Sequence, residues 1–196
     1  MRIHTQKIEG FSKGFSLIEL LVVLGIILGL IAIGIPSMTT IISNARLSGG
    51  VTNLSGLLQN CRMLAIKENK VKSAHFTVMG NGPVAYVKNA ADTSEVTKTD
   101  VQAQLGAALT KVATPTGADA PPALTSSELS FAAVTSDPSF NSRGLPCEYS
   151  SGVCTNKGFV YYFKDTRPLG ASRWAAVSVS PAGRINRWFW TGSNWN

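Results

Sequence analysis

The sequence predicts an α+β fold: a long N-terminal helix packed on an antiparallel, β-rich head, in the shape of a lollipop. Three observations carry this. Leu20 to Met38 holds no formal charge and consists mostly of Leu, Ile and Val. Apolar residues then recur at helical spacing as far as Ala65. After Asn69 the period drops to two, with glycine and proline turns between short apolar runs.

The helix comes first. At about 1.5 Å per residue, the run from Leu20 to Met38 matches a hydrocarbon core about 30 Å thick. A secretory signal peptide has a shorter apolar core and a small-residue cleavage site, and no Ala-x-Ala follows this run. A polar leader, Met1–Gly14, precedes it, with Arg2, Lys7 and Lys13 against Glu9. Basic residues stay on the cytoplasmic side, and the next base is Arg46. The N-terminus is therefore expected in the cytoplasm and everything after Met38 outside it. Glu19 sits just inside the apolar edge. An acid at the centre of a span costs about 2.5 to 3.5 kcal/mol, and less near the edge. It is either a tolerated interfacial charge or one half of a pair with a cation in the membrane or in an assembly.

Beyond Met38, Leu47, Val51, Leu54, Leu58, Cys61 and Ala65 form one apolar stripe. Asn44, Arg46, Ser48, Asn53, Ser55 and Arg62 are assigned to the opposite, polar face. One helix is thus expected from Phe15 to about Asn69, membrane-spanning over 15–38 and amphipathic over 39–69. Pro36 removes a backbone hydrogen bond and is expected to kink it.

The head, 70–196, opens with a strand over Val71–Met79, a turn over Gly80–Pro83 and a partner strand over Val84–Asn89. Ala90–Ala123 is read as loop with a short helix over Val101–Val112. Further strands are expected at Leu129–Val134, Gly158–Lys164, Arg173–Ser180 and Arg184–Thr191, with a turn at Pro181–Gly183.

The chain of 196 residues carries a net charge of +7. Loss of the leader removes three bases and one acid, giving 7 − 3 + 1 = +5. Lys88–Ser142 holds three bases and six acids, whereas Arg143–Asn196 holds seven bases and two acids. A basic C-terminal third suits nucleic acid, anionic lipid, an acidic partner subunit or plain solvent. Of the three cysteines, Cys147 and Cys154 flank a turn-like stretch and, in an outward-facing domain, are expected to be bridged. Cys61 lies in the helical stripe as a small buried hydrophobe. The two histidines, His4 and His75, are a poor basis for a metal site, and no cofactor is expected. No Gly-x-Ser-x-Gly, Cys-x-x-Cys, His-Glu-x-x-His or phosphate-binding glycine loop is present, so no enzymatic activity is expected.

Lys13 followed by Gly14-Phe15-Ser16-Leu17-Ile18-Glu19 and an apolar run resembles the N-terminal signature of type IV pilins and type II secretion pseudopilins. The resemblance implies that a prepilin peptidase cuts between Gly14 and Phe15 and N-methylates Phe15. It also implies that Glu19 pairs with the terminal amine of a neighbouring subunit during assembly. A proline is frequent in that family where Pro36 stands. Downstream, Phe140-Asn-Ser-Arg-Gly144 and Gly183-Arg184 resemble elements of the head of GspH/FimT-like minor pilins and pseudopilins. The implied role is a minor structural subunit at or near the tip of a pilus or secretion pseudopilus. Its partners would be the peptidase, major and other minor subunits, and inner-membrane lipid, with the head in the periplasm.

DNA binding for uptake in transformation is the alternative. In a strand over Arg184–Thr191, alternation puts Arg184, Asn186, Trp188 and Trp190 on one face and Ile185, Arg187 and Phe189 on the other. Arginine beside indoles suits a phosphate and a stacked base. The same residues suit a subunit contact, or a seal over the sheet beneath the Ala90–Ala123 segment. DNA-binding FimT-like proteins carry Gly-Arg-x-Arg here, and this chain has one residue more before Arg187.

Overall fold

Helix α1 (Leu17–Glu68) opens the described part of the chain. The computed structural model describes residues 16–80, 82–106, 109–165 and 173–196, with the side chains of 32–40 outside that description. The leader, Gly14 and Phe15 lie outside the described residues, and the expected kink falls at Pro36, whose side chain lies outside that description. The chain separates into two units, Met1–Thr39 and Thr40–Asn196.

In the first unit, every side chain from Leu17 to Ile31 is exposed, Glu19 among them. Among the described residues no helix is long and apolar enough to cross a membrane. The run expected to cross extends through residues 32–38, whose side chains are not described.

The second unit is α+β. Among the described residues eleven strands follow α1: β1 (Lys72–Met79), β2 (Gly82–Asn89), β3 (Val101–Gln104), β4 (Leu109–Val112), β5 (Ala133–Val134), β6 (Ser139–Phe140), β7 (Pro146–Ser150), β8 (Val153–Asn156), β9 (Gly158–Asp165), β10 (Arg173–Val179) and β11 (Ile185–Phe189). They form one sheet in the order β3-β2-β1-β6-β7-β8 and a second in the order β11-β10-β9-β4. β5 pairs with the first residues of β9, in parallel, on the edge that β4 shares further along. All other pairings are antiparallel.

The main core lies between α1 and the two sheets. Leu47, Val51, Leu54, Leu58, Cys61 and Ala65 are all buried in it, with Leu57 beside them. They meet Ala74, Ala85 and Val87 of the first sheet, and Phe159, Tyr161, Phe163, Ala175 and Val177 of the second. Each large apolar side chain buried there contributes about 1.5 to 3 kcal/mol. A second core covers the other face of the second sheet. Val160, Tyr162, Trp174 and Ala176 pack there under Leu124, Leu129 and Trp195. β9 therefore faces apolar side chains on both sides, which is why Phe159-Val-Tyr-Tyr-Phe163 reads as an unbroken apolar run.

Several expectations are corrected. Val101–Val112 is not a helix but two strands. Val101 and Ala103 face the core while Gln102 and Gln104 are exposed, a period of two. Gly106, at φ +101°, lies between the strands, β3 extends the first sheet and β4 the second. Leu129–Val134 is not one strand. Thr125 and Glu128 form a capping box, each satisfying the other's backbone, so a short helix α2 (Ser126–Leu129) forms first and only β5 is extended. On the supposed polar face of α1, Ser55 is buried and donates to the Val51 carbonyl at 2.9 Å. Arg62 is half-buried and donates to the Gly183 carbonyl at 3.1 Å. The cysteine loop is a hairpin, β7–β8, closed by Ser151 and Gly152 at positive φ.

Charge explains the first part of the Ala90–Ala123 segment. Lys88 is buried, yet its Nζ reaches Ser94 Oγ at 2.6 Å and the Glu95 carbonyl at 2.8 Å. Asp92 and Asp100 stand 3.7 and 3.6 Å away. The loop folds around one ammonium that burial would otherwise penalise.

Candidate assembly surfaces

The outer face of α1 in the second unit differs from that of an ordinary amphipathic helix. Ile42, Ala45, Gly49, Thr52, Gly56, Gln59, Met63 and Ile66 recur at alternating spacings of three and four, and all are exposed. None is charged, and α1 carries no charge at all between Arg46 and Arg62. Met63 is 68% exposed, which is unusual for a large apolar side chain on a solvated helix.

Glycine in a helix interior costs about 1 kcal/mol relative to alanine. At Gly50 the chain itself supplies the reason. A Cβ there would stand 2.3 Å from the Leu105 carbonyl oxygen and 2.3 Å from Leu109 Cδ1. At Gly49 and Gly56 a Cβ would meet nothing within 4 Å. These two glycines have no packing partner within the described residues. They leave the ridge low at these two positions.

The late sequence elements meet at the C-terminal part of α1. Phe140 is fully buried in the main core. Gly144 and Gly183 are both buried and both adopt positive φ, +75° and +83°. A Cβ on Gly144 would stand 3.0 Å from Arg62 Nε, and one on Gly183 would stand 3.2 Å from Arg62 Cζ. The two turns therefore close on one guanidinium from two separate parts of the sequence. Phe140, Gly144 and Gly183 thus have a structural use in seating two turns on α1.

No family model, curated protein or solved structure matches the chain.

The C-terminal hairpin divides its side chains as alternation requires. Ile185 and Phe189 pack against the main core, and Trp188 and Trp190 against the second. Trp188 Nε1 donates to Ser178 Oγ at 2.9 Å, and Trp195 Nε1 donates to the Pro122 carbonyl at 2.9 Å. Both indoles expected beside Arg184 are thus half-buried, sealing the second sheet together with Trp195. Arg184 is exposed, and no side-chain partner stands beside it among the described residues. Arg187, also exposed, donates to Thr52 Oγ1 at 3.2 Å and so leans on the α1 ridge. A cleft of about 870 Å³ runs between β11 and α2, lined by Arg184, Asn186, Trp188, Glu128, Leu129 and Phe131 among others.

Cys147 and Cys154 are joined in a disulfide, with Cα atoms 5.3 Å apart. The bond crosses the β7–β8 hairpin diagonally, since Cys147 pairs with Asn156 and Tyr149 with Cys154. Cys61 is free and buried, and burial pushes its thiol up to about 12, against a smaller opposing pull from Lys72. His75 belongs to a polar cluster joining the two sheets. Asp137 Oδ1 accepts from Lys111 Nζ at 2.7 Å, and Oδ2 lies 3.3 Å from His75 Nδ1. Lys111 Nζ also lies 3.9 Å from the centre of the Phe76 ring. Burial opposes ionisation of Asp137, but the bonds from His75 and Lys111 and their charges outweigh it and hold the carboxyl below its ordinary value. Among the described residues no three His, Cys, Asp or Glu side chains gather to hold a metal.

Two features were missed in the sequence. The uncharged ridge was legible there as the absence of any charge between Arg46 and Arg62. The cluster around Asp137 was not, because its three members lie on separate elements.

Proposed function

We propose that this chain is a minor pilin or pseudopilin, a structural subunit placed at or near the tip of a type IV pilus or a type II secretion pseudopilus. The observation that carries the reading is the exposed, uncharged ridge on α1, with Gly49 and Gly56 open to close approach by another helix. It continues, in one chain, from the Gly14-Phe15…Glu19 signature and the apolar run that the resemblance rests on. In this reading α1 is one stalk, the lollipop's stick. Leu20–Met38 crosses the inner membrane, the N-terminus is cytoplasmic and the head periplasmic. A prepilin peptidase removes Met1–Gly14 and methylates Phe15. Glu19 then meets the terminal amine of a neighbour. A carboxylate and an ammonium about 4 Å apart gain about 4 kcal/mol at an effective dielectric near 20, most of it offset by desolvation, so the pair sets register. No catalytic role is assigned.

Co-expression with an active peptidase and the assembly machinery tests this. The mature chain is expected to begin at N-methylated Phe15 by mass spectrometry. Glu19→Ala is expected to be cleaved and inserted normally but to fall out of the fibre fraction. An intact leader overturns the reading; normal incorporation of Glu19→Ala removes the Glu19–amine pair from it, as for a tip subunit with no neighbour above.

DNA uptake is the second reading, and the free Arg184 beside the cleft favours it. With Trp188 and Trp190 half-buried in the second core, stacking has little left to use. Binding would rest on Arg184 and Arg187 and weaken steeply with salt. Salt-insensitive binding, or none at low salt, removes it.

A further inference from the structure

The outer edge of β11 is an unfilled strand position. Trp190 N donates to the Trp174 carbonyl and Ser180 N to the Arg184 carbonyl, so residues 184, 186, 188 and 190 direct their backbone groups toward β10. By the same alternation Ile185, Arg187 and Phe189 direct theirs away from it. Phe189 shows that this edge can pair: its N–H donates to the Asn196 carbonyl at 2.7 Å, and Asn196 N donates back at 3.1 Å. At Ile185 and Arg187 the outward N–H and C=O groups have no partner among the described residues. By contrast, Asn53 of α1 bonds the Gln104 carbonyl of β3, an edge strand of the other sheet.

We infer that this edge accepts an extended, acidic segment of a neighbouring subunit, which adds to β11 as a further strand. The inference rests on the subunit reading above and names the contact that a neighbour makes. Three observations support it. Arg187 leans on Thr52, a member of the α1 ridge, so the strand position continues the surface on which a partner helix would lie. One face of the added strand looks into the cleft floored by Arg184, Asn186 and Trp188. The other face meets the exposed Arg187. Main-chain bonds would supply affinity, and side chains at alternate positions would supply choice. Both arginines ask for carboxylates. A second copy of the same edge is the wrong occupant, because antiparallel pairing of two β11 edges about Arg187 sets the two guanidiniums side by side.

The test uses the full chain in nonionic detergent micelles and two synthetic peptides, one alternating valine and glutamate, the other valine and lysine. The valine–glutamate peptide is expected to protect the amides of Ile185 and Arg187 from hydrogen exchange, and the lysine peptide is not. Arg187→Pro removes one outward N–H while leaving the β10–β11 bonds in place, which an edge strand tolerates. It is expected to weaken the acidic peptide about tenfold or more, with the far-ultraviolet spectrum and the disulfide unchanged. Arg187→Glu is expected to exchange the preference between the two peptides. No protection by the acidic peptide at low salt overturns the inference, as does unchanged affinity in Arg187→Pro. Preferential displacement of the peptide by short duplex DNA overturns the choice of a protein partner. Failure here is separable from failure of the subunit reading. A chain that loses fibre incorporation in Glu19→Ala but keeps it in Arg187→Pro is a subunit that does not use this edge.

Discussion

Replacing Gly144 by alanine isolates what the Arg62 junction contributes. Two costs add. The first is backbone: at φ +75° an L-residue is disfavoured by roughly 1 to 2 kcal/mol. The second is contact: the new Cβ would lie 2.6 Å from Ile66 Cδ1 and 3.0 Å from Arg62 Nε. Ile66 is about half exposed and can swing outward, so its overlap is relieved cheaply. Arg62 is tied to the Gly183 carbonyl and yields only by giving up that bond, at about 0.5 to 1.5 kcal/mol. The expected loss is therefore about 1.5 to 3.5 kcal/mol. Gly152→Ala is the control, because Gly152 has φ +84° and nothing within 4 Å of its Cβ position. It carries the backbone cost alone. The assay is guanidinium unfolding of the second unit, Thr40–Asn196, which has its own core. Equal losses in the two variants would refute the reasoning, because the Arg62 contact would then cost nothing.

Two further outcomes are expected. Cys61 stays unlabelled by a thiol reagent at pH 8 in the native chain and reacts once unfolded, while non-reducing peptide mapping finds Cys147 linked to Cys154; native labelling of Cys61 would contradict its burial. The Asp137 carboxyl is held below its ordinary value, so its contribution to stability is present above pH about 3.9 and is lost as pH falls further through the folded value. Asp137→Asn should therefore lower stability at neutral pH and narrow its gap to the parent chain in strong acid, read by unfolding at a series of pH values. A gap that is constant with pH would show that the carboxylate's charge is not what matters.

Much of this architecture was legible because it is local. The spacing of Leu47, Val51, Leu54, Leu58, Cys61 and Ala65 named the buried stripe of α1 residue by residue. Short strand-like runs bounded by turn residues located β1, β2, β9, β10 and β11 to within a few residues. The errors fall where local preference is weak or outvoted. Val101–Val112 is rich in alanine and leucine, yet β2 and β9 each offered an open edge and took one half of it. Thr125-Ser-Ser-Glu128 is a capping signal present in the sequence, and it starts α2 ahead of β5. Arg62 looked solvent-facing because its acceptor, the Gly183 carbonyl, is 121 residues away. The candidate surfaces divide in the same way. Alternation in β11 correctly parted Ile185 and Phe189 from Trp188 and Trp190, but only the folded chain shows that Trp195, bonded to the Pro122 carbonyl, packs in the same core as those indoles.

Strand β9 turns Phe159, Tyr161 and Phe163 to one core and Val160 and Tyr162 to the other. The strand is buried on both faces only with both the helix and the Leu124–Phe131 cover in place, and loss of either cover bares large side chains. The two cores are thus not independent reserves of stability but one cooperative element. Damage to the outer layer around Leu129 is felt at Leu58, on the far side of the sheet, through a backbone they both need.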